Sequence, residues 1–267
     1  MLQRKESNMS NLPCISLVIP ILNGERYISK SICQLRRLEE IYQNRIEFIL
    51  VDDGSTDNTL TIAKRLTSDS TNWRLIQNVQ NMGKGYSVRK GMLTASGDIL
   101  VFVDADLSYP VDSIRQVIES VSTLQPVVIV SRVGKGAVLE VPSEMFGYFY
   151  TRHSMSRLLN LLVRAMIVNG VTDTQSGLKG FTKESALNIF ARQTLDRFSF
   201  DIEILFIAKR LNYKLLEISV RSRYFSEPTT VHFLRDGINV MYSLLKIRWN
   251  SITGKYSKPL PKIDQAE

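Results

Sequence analysis

The sequence predicts an α/β fold in which a mostly parallel, Rossmann-like central sheet is flanked by helices, with amphipathic helices towards the C-terminus. Three observations carry this. Apolar runs suited to buried strands end in acid-bearing loops at three places, and each loop is followed by a helical pattern. The chain, 267 residues long and 44% hydrophobic, is long enough to bury one sizeable core. Strands alternating with helices give βαβ units and a parallel sheet. Ligands of such sheets bind outside the carboxyl ends of the strands, so the three loops are expected to share one crevice.

The first element is the run from Ile15 through Pro20 to Leu22, which opens into Asn23-Gly24-Glu25 and a helical pattern from Arg26 to Tyr42. The second repeats the design: Glu47-Phe-Ile-Leu-Val gives way to Asp52-Asp53-Gly54-Ser55-Thr56-Asp57, with a helix expected over Asp57 to Thr67. The third, Asp98-Ile-Leu-Val-Phe-Val, ends in Asp104-Ala-Asp106, with a helix expected from Val111 to Val121. Residues i and i+2 of a strand point to the same side. Asp104 and Asp106 can therefore converge on one cation where the strand opens into a loop. Mg²⁺ takes one or two protein carboxylates and completes its shell with water and substrate phosphates, so the pair suggests a metal–diphosphate site. A solvated acidic loop is the alternative.

Between the second and third elements lies Asn81-Met-Gly83-Lys84-Gly85-Tyr86-Ser87. It fails the Walker pattern, because Asn78 stands where the first glycine belongs and Gly85 where Ser or Thr should follow the lysine. A dinucleotide fingerprint starting at Gly83 fails at Val88. What survives is a glycine turn before a helix from Tyr86 to Ala95, whose amides and Lys84 can meet an anion. A plain strand-to-helix turn with solvated lysines is the other reading.

Residues 1–12 and the tail 256–267 lack periodicity and read as flexible ends around one domain spanning 13–255. Two cysteines, Cys14 and Cys33, make no disulfide framework, and the default compartment is reducing. No apolar segment follows Arg4 and Lys5 as a signal peptide requires, and no run is long enough to span a bilayer. The net charge of +8 implies an acidic partner. The basic residues are scattered, and no nucleic-acid partner is expected. Two helical stripes carry basic neighbours: Met155, Leu158, Leu159, Leu162 and Met166 beside Arg152, Arg157 and Arg164, and Leu234, Ile238, Met241, Leu245 and Trp249 beside Arg235, Lys246 and Arg248. Such helices either pack on a sheet or lie in an anionic lipid interface. His153 and His232 have no metal-ligand spacing and receive no role.

In order, Pro20-Ile-Leu-Asn23, Val51 to Asp57, Asn81 to Gly85, and Asp104-Ala-Asp106 resemble the GT-A fold of the family 2 glycosyltransferases, inverting enzymes that use nucleotide-diphosphate sugars. The resemblance covers about residues 13 to 255. Asp173-Thr-Gln-Ser-Gly177-Leu-Lys179, Arg197 to Glu203, Ile218 to Arg221 and Leu244 to Arg248 are similar to the branch containing dolichyl-phosphate β-glucosyltransferases and dolichol-phosphate mannose synthases, the glucosyl enzymes more closely.

The resemblance implies a nucleotide-sugar pocket built from Pro20, Asn23, Glu25, Asp52, Asp53, Gly54, Ser55, Lys84 and Asp104, with Asp52 and Asp53 near the base and ribose. Asp106 is expected to hold Mg²⁺ or Mn²⁺ on the diphosphate, and Lys84 and Arg89 to add positive potential. On the acceptor side it points to Arg132 as a phosphate clamp, Lys179 as a second cation, and Asp173 as either a base or the carboxylate that holds a neighbouring cation. Two departures stand out. Ser108 follows the acid pair where the mannose synthases often carry Gln, and an N-terminal anchor like that of the eukaryotic glucosyl enzymes is not expected from residues 1–12. The expected partners are a nucleotide-diphosphate sugar, UDP-glucose before GDP-mannose, and a polyprenyl phosphate, met peripherally at the cytoplasmic face of a membrane. A transferase acting on a saccharide hydroxyl, and a non-catalytic nucleotide-sugar binder, are the alternatives.

Overall fold

The computed structural model describes residues 12–132, 136–140, 170–223 and 233–257. The expected stripe from Met155 to Met166, with His153 and His232, lies outside them. Seven strands form one sheet in the order β3-β2-β1-β4-β7-β5-β8: β1 Ile15–Ile21, β2 Ile46–Asp52, β3 Trp73–Gln77, β4 Ile99–Val103, β5 Val127–Ser131, β7 Leu178–Thr182 and β8 Leu215–Ser219. A small parallel pair stands apart, β6 Val138–Glu140 with β9 Arg221–Arg223. In the large sheet β7 runs antiparallel to both its neighbours, β4 and β5, and every other pairing is parallel. The sheet is mostly parallel, as expected, with one reversed strand in its middle.

That reversal positions the site. Six strands present their carboxyl ends along one edge, and β7 presents its amino end there, so the loop 172–177 arrives beside the loops after β4 and β5. The first three acid-bearing strands are neighbours in the sheet, and their loops share the edge as the sequence predicts.

The inner strands β1, β2, β4, β5 and β7 are buried on both faces, which explains why their apolar runs are continuous. On β1, Leu17 and Ile19 join one core while Val18 joins the other. Helices α1 Ile28–Tyr42, α2 Thr59–Thr67 and α4 Val111–Ser120 cover the first face, and Ile28, Ile32, Leu35 and Leu38 of α1 make its apolar stripe. Helices α3 Lys84–Thr94, α5 Lys183–Phe190, α6 Phe200–Arg210 and α7 Phe233–Ile252 lie on the second face. Helix α3, before β4, starts at Lys84, two residues earlier than the periodicity predicts, because Gly83 with φ of +107° lets the chain enter it directly. Tyr256, assigned by sequence to the flexible tail, is instead fully buried within a 3-10 turn, Lys255–Ser257, and donates to Glu203 Oε1 at 2.7 Å. An isolated aromatic carries no periodicity from which its burial could be read.

Candidate functional site

Two loops are laced together beyond β1 and β2. Asn23 donates its backbone N–H to Ser55 Oγ, and its side-chain oxygen accepts from the Thr56 amide, both at 2.9 Å. Gly24 N–H donates to Thr59 Oγ1, Glu25 N–H donates to Asp57 Oδ2, and Asn58 returns two hydrogen bonds to the Glu25 carboxylate. Asn23, Glu25, Arg26 and Asp57 line an open cleft of about 550 Å³. Pro20 was expected to line it too. It lies instead within β1, buried opposite Val51, and does not border the cleft.

Asp52 and Asp53 are both buried. Asp52 accepts from the backbone and hydroxyl of Ser55. Asp53 accepts from Asn78 Nδ2, Ser87 Oγ and the amides of Met82 and Gly83, all between 2.8 and 3.0 Å. Both carboxylate oxygens are thereby engaged in shaping the turn at 78–87. Both acids, expected beside the base and ribose, are thus engaged by donors of the site's own loops, Asp52 by Ser55 and Asp53 by the turn at 78–87. Gly54 supports the same turn, because at φ of +77° a Cβ would stand 2.6 Å from the Gln80 carbonyl carbon.

At the head of α3, Lys84 Nζ stands 2.6 Å from Asp104 Oδ1, an ion pair in which both side chains remain partly exposed. Burial disfavours the Lys84 charge, but Asp104 and then Asp201 outweigh it and raise its pKa. Asp106 accepts from the amide and hydroxyl of Ser108, so Ser108 orients this acid. Burial first and the Asp104 charge second hold the Asp106 carboxyl above the usual carboxylate range. Leu107 between them and the next helix has φ of +48°, a left-handed conformation costly for a branched residue. Two clustered carboxylates, one of them destabilised as an anion, match the donor set of a hard divalent ion that also takes water and phosphate oxygens. Among the described residues, no group of three or more His, Cys, Asp or Glu side chains forms a closed metal cage.

The loop before β7 closes the other side. Asp104 N–H donates to the Gly177 carbonyl at 2.9 Å, and a Cβ on Gly177 would lie 2.0 Å from Asp104 Oδ2. Only glycine fits against the acid. Arg132, just past β5, grips Asp173 through two parallel bonds, Nε to Oδ2 at 2.7 Å and a terminal nitrogen to Oδ1 at 2.9 Å, and its backbone N–H donates to Oδ2 as well. Burial alone would raise the Asp173 carboxyl, but Arg132 holds it below the usual range. Asp173 is thus engaged in holding a cation, one of the two roles expected of it. The Arg132 side chain stays 41% exposed while Asp173 is buried, so the guanidinium keeps one side open. Glu217 on β8 accepts the amides of Thr172 and Asp173 and holds this loop in turn.

Lys179 was expected to be a second phosphate contact. It is fully buried in β7, with Nζ donating to Asp201 Oδ1 and to the Ser176 carbonyl, each at 2.6 Å, and lying 5.4 Å from the Phe102 ring centre. It cannot reach an acceptor. Arg89 is displaced from its expected role as well. It pairs with Asp196 at 2.9 Å, donates to the Gln193 carbonyl and covers the Tyr86 ring.

Three groups went unassigned in the sequence. Tyr109 is buried, its hydroxyl accepts from Gly177 N–H, and burial pushes its pKa up. Asp201 feels the charges of both Lys179 and Lys84. Glu203 binds the amides of Thr194 and Leu195 and the Tyr256 hydroxyl. Asp201 and Glu203 stand in the recognisable Phe-Asp-Ile-Glu run, but the run does not say which acid faces a lysine.

Comparison with known proteins places these residues in context. A family model described as glycosyl transferase family 2 matches residues 16–189. A dolichyl-phosphate beta-glucosyltransferase of Trichomonas vaginalis is 32% identical over 213 residues, covering 77% of this chain and 62% of that protein. The Dictyostelium discoideum protein of that name is 30% identical, with 77% and 65% covered. The human one is 29% identical, with 91% and 77% covered. The chain thus spans a little under two thirds of the first two relatives. Among solved structures, glucosyl-3-phosphoglycerate synthase of Mycobacterium tuberculosis with Mn²⁺, uridine diphosphate and glucosyl-3-phosphoglycerate has a TM-score of 0.64 at 19% identity, covering 92% of this chain and 84% of that one. The same enzyme with Mn²⁺ and UDP-glucose scores 0.63 at 19% identity, covering 92% and 83%. These likenesses bear out the GT-A fold.

Proposed function

Since the chain belongs to glycosyl transferase family 2, we propose that it moves a hexose, glucose foremost, from a nucleotide-diphosphate sugar to a polyprenyl phosphate at a membrane surface. The observation that carries this is the Arg132–Asp173 pair beside the acid pair Asp104 and Asp106. A hydroxyl acceptor needs a base, whereas a lipid phosphate is already anionic at pH 7 and needs orientation and positive charge. Here the neighbouring carboxylate, Asp173, is spent on holding a half-exposed guanidinium. With Nε and one terminal nitrogen bound to Asp173, the remaining terminal N–H groups of Arg132 are held in a fixed direction for a phosphate. The similarity to dolichyl-phosphate beta-glucosyltransferases supports the same acceptor.

In this reading the nucleoside lies in the cleft between Asn23, Glu25, Arg26 and Asp57. Lys84, at the head of α3, contributes charge to the diphosphate, and Asp106, with Asp104 adjoining, would hold Mg²⁺ or Mn²⁺. Bound there, the ion would neutralise charge developing on the leaving diphosphate. Arg132 aims an acceptor phosphate oxygen at the anomeric carbon. A new carbon–oxygen bond forms on one face as the bond to the diphosphate breaks on the other, and the nucleoside diphosphate leaves with the electron pair. UDP-glucose is the favoured donor, with GDP-mannose next. The site of action is the cytoplasmic membrane face, met peripherally. No helix among the described residues is long and apolar enough to cross a membrane.

The test is transfer of labelled sugar from UDP-glucose or GDP-mannose to polyprenyl phosphate with Mg²⁺, Mn²⁺ or EDTA. Metal-dependent label in the lipid phase, lost in Asp106→Ala, is expected. Arg132→Ala should raise the acceptor KM while leaving donor binding intact. Donor turnover that labels only a saccharide would reassign the acceptor, and absence of donor binding would end the enzyme reading.

A further inference from the structure

Helix α7 shows an apolar face that takes no part in the cores formed by the described residues. Its inward side, Val240, Leu244 and Ile247, is buried in the second core. Its outward side carries Tyr242, Leu245, Trp249 and Ile252, which are 66, 58, 67 and 79% exposed. At 3.6 residues per turn these four fall within about a quarter of the circumference, and Met241 extends the strip. Three of the stripe residues read from the sequence, Met241, Leu245 and Trp249, therefore face outward, although packing on the sheet was an open alternative for them.

Charge flanks this strip on both edges. Lys246 adjoins Tyr242 on one side and the exposed Arg248 lies beyond Ile252 on the other, with Lys255 exposed just past the helix. Residues 237–257 contain three basic side chains and no acidic one. An apolar strip bordered by cations, with a tryptophan and a tyrosine among its exposed residues, matches the region where lipid headgroups meet acyl chains. A protein groove would need acids opposite those cations, and a spanning segment would need a longer apolar helix than any among the described residues.

We propose that the outward face of α7 docks flat onto an anionic bilayer, with Tyr242, Leu245, Trp249 and Ile252 entering the interface and Lys246, Arg248 and Lys255 meeting lipid phosphates. Its purpose rests on the lipid-acceptor reading. The docked helix is also tied to the site: Asn250 Nδ2 donates to Thr194 Oγ1, Tyr256 donates to Glu203, and Tyr86 N–H, two residues beyond Lys84, donates to the Asp196 carbonyl. One loop, 193–196, is thus held both by the far end of α7 and by the head of α3. A bilayer that seats α7 also sets the height and tilt of Lys84 above it.

The chain supplies its own probe. It has two tryptophans, and Trp73 is buried and stacked on Phe48 with ring centres 4.4 Å apart. Wild type is expected to float with phosphatidylcholine vesicles containing phosphatidylserine, with Trp249 emission shifted to the blue and quenched by brominated lipid. K246Q and R248Q should each lower partitioning by about fivefold. L245E/I252E, which keeps both tryptophans, should abolish flotation and transfer to vesicle-borne polyprenyl phosphate while sparing transfer to a short, water-soluble prenyl phosphate. Flotation without a Trp249 response, or unchanged in L245E/I252E, overturns the proposal, as does a variant equally dead on the soluble acceptor. A blue shift on concentrating the protein without vesicles assigns the face to a second copy. Wild type that floats but labels no lipid phosphate defeats the acceptor reading and leaves the docking intact; labelling that survives L245E/I252E does the reverse.

Discussion

The two halves of the site's edge use their carboxylates differently. Beyond β1 and β2, Glu25, Asp52, Asp53 and Asp57 bond to neutral donors: backbone amides, hydroxyls and the Asn58 and Asn78 side chains. Around β5 and β7, Asp173 and Asp201 are spent on cations, Arg132 and Lys179. Asp104, between the halves, pairs with Lys84 and remains partly open. The first arrangement makes a cradle of carboxylates held by neutral donors. The second stores charge that burial would otherwise expel, and keeps a guanidinium in a fixed orientation. The two halves should therefore fail differently when broken.

The largest effect is expected from splitting the buried pair under β7. Asp201→Ala leaves the Lys179 ammonium uncompensated at 0% exposure, and should cost about 3–5 kcal/mol of stability in urea melts. Replacing both, as in Lys179→Met with Asp201→Leu, should recover most of it. No recovery would mean that the pair does more than neutralise itself. Gly177→Ala comes next, because its Cβ would overlap Asp104 Oδ2 at 2.0 Å. Displacing a carboxylate by about 1 Å should lower kcat roughly 100-fold with little change in donor affinity for the remote nucleoside cleft. A change confined to donor KM would place Asp104 outside the reacting region.

Where the donors are neutral, Asp53→Asn keeps one acceptor oxygen but sets an NH2 group against the Gly83 N–H, and should cost about 1–3 kcal/mol, read as a lower Tm together with a weaker donor KM. An unchanged Tm would show that the turn at 78–87 stands without it. The smallest effect belongs to Asp173→Asn, whose partner is 41% exposed, at about 1 kcal/mol. The sign with pH follows from a carboxyl held below its usual range. Its stabilisation is present above the unfolded carboxylate pKa and is lost as pH falls through the lower folded value. The gap between wild type and variant should therefore be constant near neutrality and close in strong acid. A gap that opens as pH falls would contradict the pairing.

The first half was the more legible, and the reason is local. Strand, acid-bearing loop and helix follow one another within each βα unit, so Ile15 to Glu25, Glu47 to Asp57 and Ile99 to Asp106 announce both their periodicity and their position at a strand's end. What misled there was accessibility. Asp53 is an acid in a loop, which reads as free, yet its four partners come from residues 78–87, about 30 positions away. In the second half the motif Asp173 to Lys179 marked a place without its geometry. Lys179 and Arg132 are both cations near the site in sequence terms, and the reversed strand β7 decides between them. Side chains alternate along β7, and Lys179 falls on the side of Phe181, inside the second core.

The sequence by itself determined the parallel βα units, the shared edge, the acid pair and the glycosyl transferase family, because periodicity and short spacings are properties of neighbours along the chain. Tertiary structure alone decided which charges face solvent, that Asp173 holds Arg132 across 41 residues, and that Leu245 and Trp249 point away from the core. Each of these depends on which strands lie side by side and how deeply their side chains are covered, and burial sets whether a charge is available, paired or excluded.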